Sequence, residues 1–223
     1  MAKIDYDKSM TGEIFPLSYN ANEIGHLGFA FNNKPLNVPK LKNKIFAVVT
    51  TDVNHQLKFK WKVTPLANDT VLISCTHPIT KSTYLLALWE DPFTPKPIVE
   101  ENALPINEED VPDAYRFKIN FIEGSPLFFE IKAINQCYFT GGFYGAEKDL
   151  KGEDYYIVQC WYGDDIKNNM RETGNCFNWF FDVTANTPQQ KTLKAAMNPH
   201  FLELISKQIG FEINKEYLKK LTT

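Results

Sequence analysis

Nowhere in this chain of 223 residues is there a run of the roughly 18 apolar residues needed to cross a bilayer. The N-terminus, Met1-Ala-Lys-Ile-Asp-Tyr-Asp7, carries charges where a secretory leader carries an apolar stretch. The expectation is a soluble, cytoplasmic protein with no membrane span, unless a leader has been removed. Net charge is also scarce. The 24 basic and 27 acidic residues leave −3, so no global field draws the chain to nucleic acid or anionic lipid. Catalytic signatures are missing too: there is no G-x-S-x-G, no H-E-x-x-H and no phosphate-binding loop. His26, His55, His77 and His200 stand far apart, and none has a neighbour at metal-ligand spacing. No cofactor or metal is expected, and an enzyme would need a site assembled from distant residues.

Cysteine is sparse and unpaired in sequence. Cys75, Cys137, Cys160 and Cys176 are separated by 62, 23 and 16 residues, with no C-x-x-C for zinc or thiol exchange. Each lies in an apolar run, where a free thiol behaves as a small core side chain. Buried reduced thiols are the first expectation, and disulfides the second.

What is abundant is aromatic residues and alternation. Phe, Trp and Tyr make up 14% of the chain, with 17 Phe and 10 Tyr. Leu57-Lys-Phe-Lys-Trp-Lys-Val63 sends Leu57, Phe59, Trp61 and Val63 one way and three lysines the other, as a half-buried strand does. Tyr115 to Phe121 and Phe177 to Val183 repeat the pattern, starting 58 and then 62 residues later. Further candidates are Glu13–Ser18, His26–Phe31, Ile45–Thr51, Thr70–Cys75, Tyr84–Trp89, Pro97–Glu100, Leu127–Lys132, Cys137–Tyr144 and Tyr155–Trp161. Together these are twelve short strands in three groups of four. In this alignment Trp61, Ile119 and Trp179 occupy equivalent inward positions.

Three units of about four strands resemble the β-trefoil superfamily, which includes ricin-B-type lectins and trefoil protease inhibitors. The resemblance spans residues 12–184 and implies an all-β, barrel-like domain with binding activity. The ricin-B-type signature Q-x-W is matched in letters once, at Gln159-Cys-Trp161, and not in the repeated positions. The units are also longer than usual for that superfamily and require large loops. A different match competes with it: Tyr84-x4-Trp89 and Tyr156-x4-Trp161, offset by 72 and each followed by acids, suit a twofold β-sandwich.

Residues 1–186 are thus expected to form the β domain. After them Thr187-Pro-Gln-Gln190 reads as a helix start, with Thr as cap and Pro at the first position. Residues 187–223 are expected to be helical and to dock through Phe201, Leu204, Ile205 and Ile209. The segment 92–113, rich in Pro, Glu and Asp, reads as a solvated connection.

Two acid-followed tryptophans are the candidate ligand site. A sugar stacks its apolar face on a flat ring, and its hydroxyls need carboxylate or amide partners. Trp161, Tyr162, Asp164 and Asp165 supply both, and Trp89 with Asp91 is a second set. The expected function is non-catalytic carbohydrate binding. The alternative is protein recognition, as by a protease inhibitor or interaction module. Homo-oligomers stay open. Lys58, Lys60 and Lys62 lie opposite the aromatics of their strand, so no stacking platform for nucleic acid is formed.

Overall fold

In the computed structural model of the chain, residues 2–16, 26–29, 44–50, 59–77, 79–90, 95–122, 125–140, 155–165 and 177–183 are described. The proposed helical tail, residues 187–223, lies outside them, as does its boundary with the β domain. No helix among the described residues is long and apolar enough to cross a membrane.

Among the described residues thirteen strands form: β1 Met10–Pro16, β2 His26–Phe29, β3 Ile45–Thr50, β4 Trp61–Pro65, β5 Val71–Thr76, β6 Thr83–Trp89, β7 Lys96–Glu101, β8 Phe117–Ile122, β9 Ser125–Ala133, β10 Cys137–Thr140, β11 Tyr155–Ile157, β12 Gln159–Tyr162 and β13 Asn178–Val183. Their pairing shows the architecture directly. β1 pairs with β4, β4 with β5, β5 with β8, β8 with β9, β9 with β13, and β13 returns to β1. All six contacts are antiparallel, so the cycle is a closed six-stranded barrel. The intervening strands make hairpins: β2 with β3, β6 with β7, and β10 with β12. A six-stranded barrel with three hairpins, one per unit, is the β-trefoil arrangement. Closure rules out the sandwich.

Register fixes which residues are equivalent. Gly12 faces Trp61, Val71 faces Phe117, and Phe129 faces Trp179. The threefold partner of the two tryptophans is therefore Phe117, not Ile119. Ile119 belongs to the next layer, where Ile73 faces Val63, Ile131 faces Ile119 and Ile14 faces Phe181. The sequence alignment was off by two residues because period-2 strands match themselves at every even offset. Trp61, Phe117 and Trp179 are fully buried, and so are Ile14, Ile73 and Ile131. Gly12, with no side chain, faces Trp61 and leaves room for its indole, whereas Trp179 faces another ring, Phe129.

The barrel and its hairpins are tied by the tryptophans. The Trp61 indole N–H donates to the Leu27 carbonyl on β2 at 2.8 Å. Trp179 makes the matching bond to the Phe139 carbonyl on β10 at 3.3 Å. Phe117 has no N–H, so the middle unit lacks this tie. The third hairpin is irregular: its returning segment is split, β11 pairing with β3 of the first unit and β12 with β10.

Elsewhere the chain turns where its residues permit. Asn68 and Asp69 take positive φ values of 57° and 53° in the β4–β5 connection, the left-handed region that Asn and Asp tolerate. Two lysines are engaged locally: Lys62 lies 4.9 Å from the Tyr6 ring centroid, and Lys44 pairs with Glu100 at 2.8 Å.

Two substitutions separate packing from bonding at the barrel centre. Trp61→Ala is expected to lower the unfolding free energy by about 3–5 kcal/mol through the cavity it leaves. Trp61→Phe should cost less, about 1–3 kcal/mol, mainly by leaving the Leu27 carbonyl unpartnered. Urea unfolding measures both. A Trp61→Phe protein as stable as the parent would show that the indole tie contributes nothing.

Candidate functional site

The two tryptophan–acid segments meet at one end of the molecule, although they belong to non-equivalent strands. β6 ends at Trp89, and β12 ends at Tyr162. Between them comes the β9–β10 turn, with Gln136 at φ 71°. Asn135 on this turn donates from its amide nitrogen to the Glu90 carboxylate. Burial first, and the Glu90 charge second, push the Tyr162 phenol above its ordinary value. Glu90 is thus shared by the two segments. The offset of 72 in the sequence reflects two segments that converge, not two copies of one unit.

Five of the six expected site residues are among the described ones. Trp161 is half-buried and faces Tyr138 across the hairpin; its indole N–H is buried and makes no hydrogen bond. Tyr162 is half-buried and packs its ring on the core. Asp164 is exposed and accepts a 2.5 Å hydrogen bond from the Tyr138 hydroxyl. Asp165 is exposed. Trp89 is half-buried at the end of β6 and joins the rim through Glu90. Asp91 lies outside the described residues.

Sequence reasoning missed Asn135, Lys132 and Tyr138. The Lys132 ammonium sits 4.7 Å from the Tyr138 ring centroid, so this buried tyrosine is held by a cation on its face and an acid at its hydroxyl. Nothing in the sequence marks these three, because they come from β9, β10 and the turn between them and matter only through pairing. The turn is further fixed by backbone: Cys137 N–H donates to the Asn135 side-chain oxygen at 3.2 Å, and Gly163 N–H to the Gln136 carbonyl at 3.0 Å.

The cysteines differ from the first expectation. Cys137 and Cys160 are joined by a disulfide, with Cα atoms 5.8 Å apart. They lie on neighbouring strands of one hairpin, a proximity that their separation of 23 residues does not reveal. Cys75 is free and buried, and burial pushes its thiol up to about 12. Cys176 lies outside the described residues.

The acidic segment is also more ordered than a solvated connection. Val111 is buried with Ile4, Leu66, Leu72 and Leu85 in a second small core, against which Leu104 and Tyr115 pack. The Arg116 guanidinium donates to the Val111 and Glu108 carbonyls. The N-terminal residues run alongside, with Ile4 N–H donating to Ile106 and Glu108 N–H to Ala2. At the base of the segment, Glu100 accepts from Lys44 and from the Tyr115 hydroxyl. Among the described residues, no group of three His, Cys, Asp or Glu side chains could hold a metal ion.

No protein-family model matches the chain, and no curated protein matches it. Among solved structures it is similar to two mutants of Gallus interleukin-1 beta. One is 10% identical, with 78% of this chain and 95% of that chain covered and a TM-score of 0.46. The other is 9% identical, with 77% and 94% covered and a TM-score of 0.44. Agreement this loose leaves the fold to be read from the strand pairing itself.

The Glu100 network gives a pH signature. Burial alone would raise the Glu100 carboxyl, but hydrogen bonds from Lys44 and Tyr115 outweigh it and hold the group below 4.5. A depressed folded-state value means stability present above pH 4.5 and lost as pH falls through the folded value. Burial and then Glu100 push Tyr115 up from 10 to about 12, so its contribution is lost as pH rises across that window. Melting temperature should fall at both extremes. Glu100→Gln should flatten the acid limb, and an unchanged acid limb would refute the assignment.

Proposed function

We propose that the chain is a non-catalytic protein-recognition module that binds through the rim formed by Trp89, Glu90, Asn135, Trp161, Tyr162, Asp164 and Asp165. One observation carries the reading: the polar groups of this rim are largely engaged with one another. Glu90 holds Asn135, and Asp164 holds the Tyr138 hydroxyl. The surface therefore offers rigid, half-exposed aromatic area rather than open acceptors for hydroxyl groups. Tryptophan and tyrosine held this way are the usual anchors of protein interfaces, because they bury large area at small entropic cost. The closed barrel directs binding to the same place. Its interior is filled by its own side chains, so a partner must use the rims and loops.

Carbohydrate binding at the same rim is the second reading. It is favoured by the convergence of an amide and a carboxylate, Asn135 and Glu90, beside half-exposed Trp89 and Trp161. A single such site would be weak, at millimolar affinity only about −4 kcal/mol.

The test places a photo-crosslinking side chain at position 162 in cells that produce the chain, with the same probe at exposed Lys60 as control. A protein adduct of defined mass at position 162 alone is expected. Trp161→Ala and Asp165→Asn should each reduce it, Trp161→Ala by about tenfold or more if the indole is an anchor. A blank at position 162 together with glycan-array binding lost in Trp161→Ala would install the carbohydrate reading instead.

A further inference from the structure

We propose that the Cys137–Cys160 disulfide is a redox lock on the recognition rim: oxidised, it holds the rim in register, and reduced, it releases it. The proposal concerns the same rim as the recognition reading, but its test needs no partner.

Position is the first argument. Across the third hairpin Cys137 faces Tyr162, and Phe139 faces Cys160. The two cysteines are thus diagonal neighbours on adjacent strands, and their Cα separation of 5.8 Å is ordinary for a disulfide. Asn135 lies two residues before Cys137, and Tyr162 two after Cys160. Asn135 donates to Glu90, and the Glu90 charge acts on Tyr162. The covalent bond therefore joins the two strand segments that carry the rim, one pleat below it.

Weak local support is the second. Among the described residues β10 shares four residue pairs with β12 and one with β9. By contrast, β6 and β7 share six. β11 pairs with β3 of the first unit. Without the disulfide, β10 and β12 are joined by four residue pairs, the Gly163–Gln136 backbone bond and the Tyr138–Asp164 hydrogen bond, while Trp179 and Lys132 hold β10 alone. Segments with so few pairs open at low free energy.

Burial is the third. Cys137 is fully buried and Cys160 nearly so. A reductant reaches the bond only when the hairpin opens, so reduction and rim opening are coupled. The chemistry is a dithiol exchange. A reductant thiolate attacks the Cys160 sulfur, the more accessible of the two, and forms a mixed disulfide while Cys137 leaves as thiolate and takes a proton. The second thiol of the reductant then closes on the first and releases Cys160 as a thiol. Two electrons and two protons pass to the protein, and the reductant ends as its disulfide. The Cys75 thiol stays protonated in the core and takes no part.

The experiment uses the full chain purified without reductant. Peptide mapping should recover the peptides of Cys137 and Cys160 joined. Amide exchange is then followed with and without dithiothreitol. Exchange in 137–140 and 159–163 should accelerate about tenfold or more on reduction, while 61–65 and 71–76 in the barrel keep their protection within about twofold. Cys160→Ser should show the accelerated rim without reductant. Three results would overturn the proposal: peptides that are not joined, rim exchange that ignores reduction, or equal loss of protection in the barrel, which would make the bond a staple of the whole fold.

Discussion

A barrel of six strands has no lumen to spare, and its closure on its own side chains is the constraint on which the rest depends. Trp61, Phe117 and Trp179 form one threefold set and Ile14, Ile73 and Ile131 the next, all without solvent exposure. Fully burying such side chains contributes roughly 1.5–3 kcal/mol each before entropy is counted. The cost of that solidity is that nothing can bind inside. The surface that differs from unit to unit is left to hairpins and loops, which the barrel holds at fixed spacing.

The three units are alike in the barrel and unlike outside it. The first and last units tie barrel to hairpin through an indole N–H, and the middle unit has Phe117 in that place. Among the described residues the middle unit has six residue pairs between β6 and β7, and it adds the second small core around Val111. The third unit carries the disulfide. Divergence of this kind is expected where one surface must differ from its two symmetry mates. The rim sits where the middle and third units meet, at the ends of β6 and β12.

Polar economy explains the character of that rim. Glu90, Asn135, Tyr138, Asp164 and Lys132 engage one another, so the aromatics are held without relying on a ligand for order. Trp161 is the exception, with a buried N–H that makes no hydrogen bond. An orphaned buried donor costs about 1–3 kcal/mol. Such a group is retained against that cost more readily where the ring itself has a use.

The sequence by itself determined the strands. Alternation such as that around Trp61 must bury one face whatever the partner, because side chains point to opposite sides with period two; around Trp179 both faces are buried, Asn178 and Phe180 included. It also determined the threefold grouping and placed aromatics at Trp89, Trp161 and Tyr162, since these are local patterns. Only the tertiary structure decided register and proximity. That Phe117 and not Ile119 joins the tryptophans depends on hydrogen-bonded pairing, to which a period-2 pattern is blind by any even shift. That Glu90 meets Asn135, and Cys137 meets Cys160, depends on which strands lie side by side. Closing the barrel sets those distances, and no spacing along the chain contains them.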